Sequence, residues 1–221
     1  MSNGEKEKGY RRAEPDSVQK RALRILKGIA SFEDRFLDDH GELVRLVDSL
    51  RKMGCVIAFV TGVWDLIHIG HADYITLGKA EAVKLYPDAD HVVLVVGVDS
   101  DDLTKRRKGP SRPIVPEEER FRMIGHLRAV DILTPQREEG QLFKILEHDV
   151  RIISTSTEDL PGFEEIRAQC DHVVNLPPQA KTSTTARIRG LSLDGAFSVL
   201  EKVENSLSTM LKEVRDGLGK R

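Results

Sequence analysis

The chain has 221 residues, with 34 Lys and Arg against 36 Asp and Glu and a net charge of −2 at pH 7. That length suits one α/β domain with a substantial core, and the balanced charge gives no global pull toward nucleic acid or a membrane surface. No run approaches the roughly 18 apolar residues of a membrane span. The polar stretch Met1–Lys20 lacks the apolar centre of a secretory signal, and two distant cysteines, Cys55 and Cys170, argue against a disulfide framework or a zinc site. A cytoplasmic protein with no nucleic-acid or membrane partner is expected, with Cys55 as a buried thiol.

In chain order, residues 1–17 read as a flexible tail. Apolar spacing predicts a helix from Val18 through Ala22, Leu23, Leu26 and Ile29, and a second through Phe36, Leu43, Leu46, Val47 and Leu50 that Gly54 ends. These make a helical N-terminal addition over 18–54. Five apolar, β-branched runs follow: Cys55–Val60, His91–Val98, Val130–Leu133, Val150–Ser154 and His172–Leu176. Helical patterns lie between them at Ala72–Leu85, Pro116–Leu127, Gly140–Glu147 and Gly162–Ala168. The alternation predicts a Rossmann-like, doubly wound parallel sheet of about five strands over 55–190. Right-handed crossovers would place every strand C-terminus on one edge, where such folds bind ligands. Residues 191–221 read as one amphipathic helix whose apolar face would cover either its own domain or a partner subunit, so a homo-oligomer is a candidate.

The segment Thr61-Gly62-Val63-Trp64-Asp65-Leu66-Ile67-His68-Ile69-Gly70-His71 joins the first strand to a helix. Two histidines around a glycine at a helix N-terminus suit phosphate chemistry. The glycine allows close approach, the helix end offers N–H groups, and the histidines can donate to charge building on a transferring phosphoryl group. A helix start with surface histidines and metal chelation are the competing readings.

Two later segments carry related chemistry. Lys105-Arg106-Arg107-Lys108-Gly109 follows Val98-Asp99-Ser100 at a strand end, and a flexible basic loop there could clamp phosphates; a solvated charge run is the alternative. Pro116 and the acids behind it read as ordinary helix capping. Near the C-terminal end, Lys181-Thr182-Ser183-Thr184-Thr185-Ala186-Arg187-Ile188-Arg189 puts hydroxyls at a helix N-terminus, which caps it and leaves amides facing an anion.

With these three segments in order, the chain resembles the cytidylyltransferase-like nucleotidyltransferase superfamily over roughly Gly54–Gly190. His-Ile-Gly-His also matches class I aminoacyl-tRNA synthetases, which share the core fold. The resemblance implies that His68 and His71 stabilise attack on a nucleotide α-phosphate, with Lys108 beside them in the catalytic set. Thr61, Gly62, Val63 and Gly70 would line the nucleotide. Ser183, Thr184 and Thr185 would hold its outer phosphates, with Arg189 or Arg187 as the basic residue behind them. Lys105, Arg120, Asp65 and Asp159 would serve the acceptor. Asp65 stands where relatives have an aspartate, and would orient a histidine or a basic group; a helix cap is the alternative. Mg²⁺ would arrive with the nucleoside triphosphate.

Two departures narrow the comparison. The arginine that cytidylyltransferases of this group carry before the serine motif is absent from Pro178-Gln179-Ala180-Lys181. The Lys-Gly-Gly-Asp turn of heptose enzymes is replaced by Ser154-Thr155-Ser156-Thr157-Glu158-Asp159. The basic segment and the Ser-Thr-Thr context look closest to stand-alone heptose-1-phosphate adenylyltransferases. The expected reaction is nucleotidyl transfer, AMP first, from ATP to a small phosphorylated acceptor such as a sugar phosphate. Alternatives are CTP with glycerol phosphate or a phospho-alcohol, adenylylation of a flavin mononucleotide or another cofactor precursor, and a non-catalytic nucleotide sensor. A tRNA-binding role is disfavoured by the charge and the length.

Overall fold

A computed structural model describes residues 16–155 and 163–179 together with Leu200, Val203 and Glu204. Internal contacts group the chain into two units, Met1–Gln179 and Ala180–Arg221, and the elements that follow belong to the first. The expectations placed on Asp159, Ser183, Thr184, Thr185, Arg187 and Arg189 lie outside the described residues, as does most of the predicted C-terminal helix.

Five strands, β1 (Val56–Gly62), β2 (Val92–Asp99), β3 (Ile132–Gln136), β4 (Val150–Ser154) and β5 (His172–Leu176), form one sheet. Its order is β3-β2-β1-β4-β5 and every pairing is parallel. This is the predicted Rossmann-like α/β sheet. The order reverses between β1 and β4, so the ligand crevice of such a fold opens beyond the C-terminal ends of those two strands. β3 runs past its expected end because Pro135, which cannot donate to a ladder, sits on an edge strand paired only with β2.

The strands are continuous apolar runs because both faces are covered. On one face Ala58, Val60, Leu94 and Val96 pack with Ile75 and Ala82 of α4 (Ile69–Leu85) and with Phe121 and Ile124 of α6 (Glu117–Gly125). On the other face Ile57, Phe59, Val93 and Val95 meet Ala22 and Ile25 of α1 (Asp16–Leu26), and Leu43, Leu46, Val47 and Leu50 of α3 (His40–Lys52). Leu142 of α7 (Gln141–Ile145) joins them. The N-terminal helices are therefore one of the two helical layers, not an appendage to a finished domain.

Several boundaries differ from expectation for local reasons. The first helix stops at Leu26, leaving Ile29 outside it and exposed. Phe36 does not belong to the helix of Leu43–Leu50. It ends a separate turn, α2 (Phe32–Arg35), which a Ser31–Asp34 capping box starts, and it bridges Leu133 in parallel. Asp39 caps α3, and Gly54, with φ of 82°, closes it. The Gly54 and Cys55 amides donate back to the carbonyls of Arg51 and Leu50, as a left-handed helix stop requires. The last connection, α8 (Phe163–Ala168), leads into β5. Cys55 and Cys170 are not joined in a disulfide; Cys55 is buried and its thiol pKa is raised, chiefly by desolvation.

Candidate active site

β1 delivers the chain to the crevice at Gly62, and α4 leaves it at Ile69. The intervening loop is strained: Trp64 and Leu66 adopt left-handed backbone angles, φ of 56° and 45°. Such conformations in residues with side chains persist only where the surroundings hold them. Here Trp64 is buried and its Nε1–H donates to the Gly97 carbonyl of β2 at 2.9 Å. Its ring lies against the Cα of Gly62, where an added Cβ would sit 2.9 Å from the indole. Gly62 thus makes room for the tryptophan.

His68 is the N-cap of α4, so the helix starts earlier than its apolar spacing indicates. Its Nδ1 accepts the Gly70 N–H at 3.1 Å, the task a Ser or Asp oxygen usually performs. Nδ1 is therefore the acceptor and Nε2 carries the proton of the neutral ring. The Gly70 amide, expected to face a ligand, is occupied by this bond. The His71 ring stacks on His68 with centroids 4.0 Å apart and 22° between planes, and it meets Trp64 edge-on at 5.7 Å. His71 Nδ1 is buried and has no hydrogen-bond partner. Desolvation first, then the charges of His68 and Lys108, push the His71 pKa down to about 4, against an opposing pull from Asp65. At neutral pH this ring is uncharged and can donate only one proton.

The basic segment is not a flexible loop. It forms α5 (Asp101–Lys108), capped by Ser100, with Asp101 and Asp102 in its first turn and four basic residues in its last. Each charge complements the helix dipole at its own end. The spacing Ser-Asp-Asp before Lys-Arg-Arg-Lys was the signal for it. Arg106 and Arg107 turn away to the Arg137–Glu139 segment and to Asp99. Lys105 is exposed and 3.8 Å from Asp102. Lys108 is the basic residue of this helix whose charge reaches His71. Its own pKa is lowered by desolvation, then by Arg112 and Arg107.

Asp65 and Arg120, expected at the acceptor, are both engaged inside the protein, and Asp65 orients a basic group, Arg112, as its position suggested. Asp65 is buried and accepts the amides of Ile114 and Val115 at 2.9–3.1 Å and the Arg112 guanidinium at 2.9 Å. It holds Arg112, a residue that carried no assigned role in the sequence, beside Lys108. Arg120 is 1 % exposed. It donates to the carbonyls of Val115, Val63 and Asp99 and to the Asp101 carboxylate. With four of its donors so engaged and almost no exposure to solvent, it ties the β1 loop to α5. Only the tertiary structure turns it inward.

Thr61 closes β1 and accepts a 3.0 Å bond from Arg151 of β4. Arg151 was missed in the sequence, although a lone arginine inside Val150-Arg151-Ile152-Ile153 was a signal for it. The nearest described carboxylates, Asp65 and Asp99, are both engaged by arginines. Among the described residues no three His, Cys, Asp or Glu side chains gather as metal ligands.

The site is thus a stacked histidine pair at the helix N-terminus after β1, set in a parallel doubly wound sheet. The chain belongs to the Cytidylyltransferase-like family, whose profile matches residues 59–210. It is 36% identical over 159 residues to the bifunctional protein HldE of Escherichia coli O1:K1 / APEC, covering 69% of this chain and 31% of that protein. It is 30% identical over 154 residues to the HldE of Gluconobacter oxydans strain 621H, covering 68% and 30%. The chain thus spans under a third of the length of these relatives. A solved lipopolysaccharide core biosynthesis protein from Thermoplasma volcanium GSS1 is similar at a TM-score of 0.41 and 24% identity, over 58% of this chain and 98% of that one. No helix among the described residues is long and apolar enough to cross a membrane.

Proposed function

We propose that the protein transfers a nucleoside monophosphate, AMP by preference, from a nucleoside triphosphate to a small phosphorylated acceptor such as a sugar phosphate. The observation that carries this reading is the His68–His71 stack on the first turn of α4, beside the crevice between β1 and β4. An acceptor phosphate oxygen attacks the α-phosphorus in line; the new P–O bond forms as the bond to the β-phosphate oxygen breaks, and pyrophosphate leaves. Catalysis is then mainly positioning and charge stabilisation. His68, its Nδ1 held by Gly70, presents Nε2–H to a phosphate oxygen. His71, kept neutral by burial, donates to charge that grows in the transition state. Lys108, with Arg112 held beside it by Asp65, draws in the acceptor phosphate, and Lys105 adds to that field from the same helix. Thr61, Gly62 and Val63 line the nucleotide, and Ser183, Thr184, Thr185 and Arg189 hold the departing pyrophosphate. Mg²⁺ carried in on the triphosphate would be held by phosphate oxygens and water and would supply charge neutralisation there.

ATP is preferred to CTP because the basic segment and the Ser-Thr-Thr context are closest to the heptose adenylyltransferases, and the curated relatives are HldE proteins. A pyrophosphate-release assay with ATP or CTP, Mg²⁺ and a panel of sugar, glycerol and alcohol phosphates tests the proposal. Release with ATP and a sugar phosphate is expected. Release only with CTP would transfer the assignment to a cytidylyltransferase, and no release with any acceptor would leave a nucleotide-binding sensor.

A further inference from the structure

We infer that Arg151 is a phosphate-recognition residue on the floor of the crevice between β1 and β4. This inference rests on the nucleotidyl-transfer reading above and adds a binding group to that site. Its first support is topological. The β1–β2 register continues to Gly62–Val98, whereas the β1–β4 register ends at Phe59–Arg151. The two strands that bound the switch point part immediately beyond Arg151, which is where doubly wound sheets take their ligands.

The second support is the path of the side chain. The guanidinium carbon lies 4.2 Å from the Phe59 ring centroid, and Nη2 donates to Thr61 Oγ1 at 3.0 Å. The side chain therefore climbs from near the start of β4 toward the carboxyl edge of β1, the edge that leads to His68.

The third is an unmet valence. Arg151 is 9 % exposed, yet its Nε and Nη1 have no hydrogen-bond partner. No carboxylate of the described residues pairs with it, and its ionisable neighbours are the Tyr74 hydroxyl and the Cys170 thiol, whose pKa values burial raises. Desolvation holds its pKa down to about 10. A buried cation without a counter-ion is strongly destabilising. A strut between Phe59 and Thr61 would explain the stacking and one hydrogen bond. It would not explain the charge, since a methionine packs against an aromatic ring without any. The unpartnered Nε–H and Nη1 lie on different edges of the guanidinium, each edge shared with Nη2, so donors remain for phosphate oxygens on both. A phosphate of the bound nucleotide or of the acceptor completes the site.

The test is direct. In nitrogen-edited NMR spectra of the full chain, the Arg151 Nε–H resonance is identified by its loss in Arg151→Met and followed during titration with inorganic phosphate and, separately, with ATP and Mg²⁺. The expected result is a saturable shift, with phosphate bound at least about tenfold more weakly by Arg151→Met and no loss of thermal stability by that variant in phosphate-free buffer. A shift with ATP assigns the nucleotide as the source; a shift with inorganic phosphate alone assigns the acceptor. An unmoved resonance in both titrations overturns the inference. So does an Arg151→Met protein that is destabilised without phosphate and keeps the wild-type response to it. Arg151→Lys, which keeps the charge but not the fork, should respond to phosphate less than wild type. Because the titration needs no turnover, a chain that binds phosphate through Arg151 but releases no pyrophosphate retains this site and loses the transfer reading.

Discussion

The buried Asp65 carboxylate holds the Arg112 guanidinium at 2.9 Å and, with the same two oxygens, the amides of Ile114 and Val115. One side chain at the mouth of β1 thereby sets the loop that follows α5 and the charge that stands beside Lys108. Replacing Asp65 by Asn leaves the partly buried Arg112 without its counter-ion and should cost about 3 kcal/mol of stability. Chemical denaturation would measure this. A variant within about 0.5 kcal/mol of wild type would mean that solvent already supports Arg112.

His68→Ala removes the Nε2 donor and the N-cap together. The lost cap should lower stability by only about 1 kcal/mol. Loss of an electrostatic contact to the developing charge should cut turnover by about 100-fold or more. Comparing pyrophosphate release with the thermal midpoint separates the two effects. Wild-type turnover in this variant would refute the assigned role.

The low pKa of His71 makes stability depend on pH in one direction. The unfolded imidazole titrates near 6.5, and the folded one near 4 because burial and the neighbouring cations disfavour its charge. Between those values the unfolded chain binds more protons than the native state. The contribution is therefore complete above about pH 6.5 and is lost as pH falls toward 4. His148 is also lowered, chiefly by desolvation, and acts in the same sense. His71→Asn should flatten part of the decline and His71→Asn with His148→Asn more of it. A slope between pH 6.5 and 4 that neither change alters would place the titrating groups elsewhere. A bound phosphate should raise the His71 pKa, and NMR titration of its ring protons would read this.

Arg120→Met should damage the fold and not the affinity for substrate. Four acceptors lose their donor, including the buried carbonyls of Val63 and Asp99. Unsatisfied buried groups of this kind cost about 1–3 kcal/mol each, so a lowered thermal midpoint is expected. A raised KM for the acceptor at unchanged stability would restore Arg120 to the substrate.

Arg35 fastens the N-terminal layer to the far edge of the sheet. Its guanidinium donates to the Val130 and Gly125 carbonyls at 3.0 and 2.7 Å, next to the Phe36–Leu133 bridge and the Leu37 N–H bond to the Leu133 carbonyl. Arg35→Ala should destabilise the protein by about 1–3 kcal/mol and speed hydrogen exchange at the Leu37 amide. Unchanged exchange there would show that the hydrophobic contacts of the N-terminal layer hold the edge without it.

The sequence by itself determined the parallel sheet and the identity of the histidine pair. Apolar β-branched runs separated by helical spacing leave few alternatives, and the order of strand, turn and helix placed His68 and His71 at the first strand-to-helix junction. Local signals also sufficed for β4 and β5, whose bounds match, and for the stop at Gly54. Periodicity could not decide what each polar residue faces. Asp65, Arg120 and Lys108 are all charged residues near one loop, and in sequence they look alike. Chain reversals of 49 positions between Asp65 and Ile114, and of 57 between Val63 and Arg120, bring carbonyls and amides to two of them and leave the third near His71. The same holds for the N-terminal helices, which became a structural layer only once Leu43, Leu46 and Leu50 found Ile57 and Phe59. Burial and hydrogen-bond satisfaction are properties of residues distant in the chain and close in space, and only the tertiary structure could decide them.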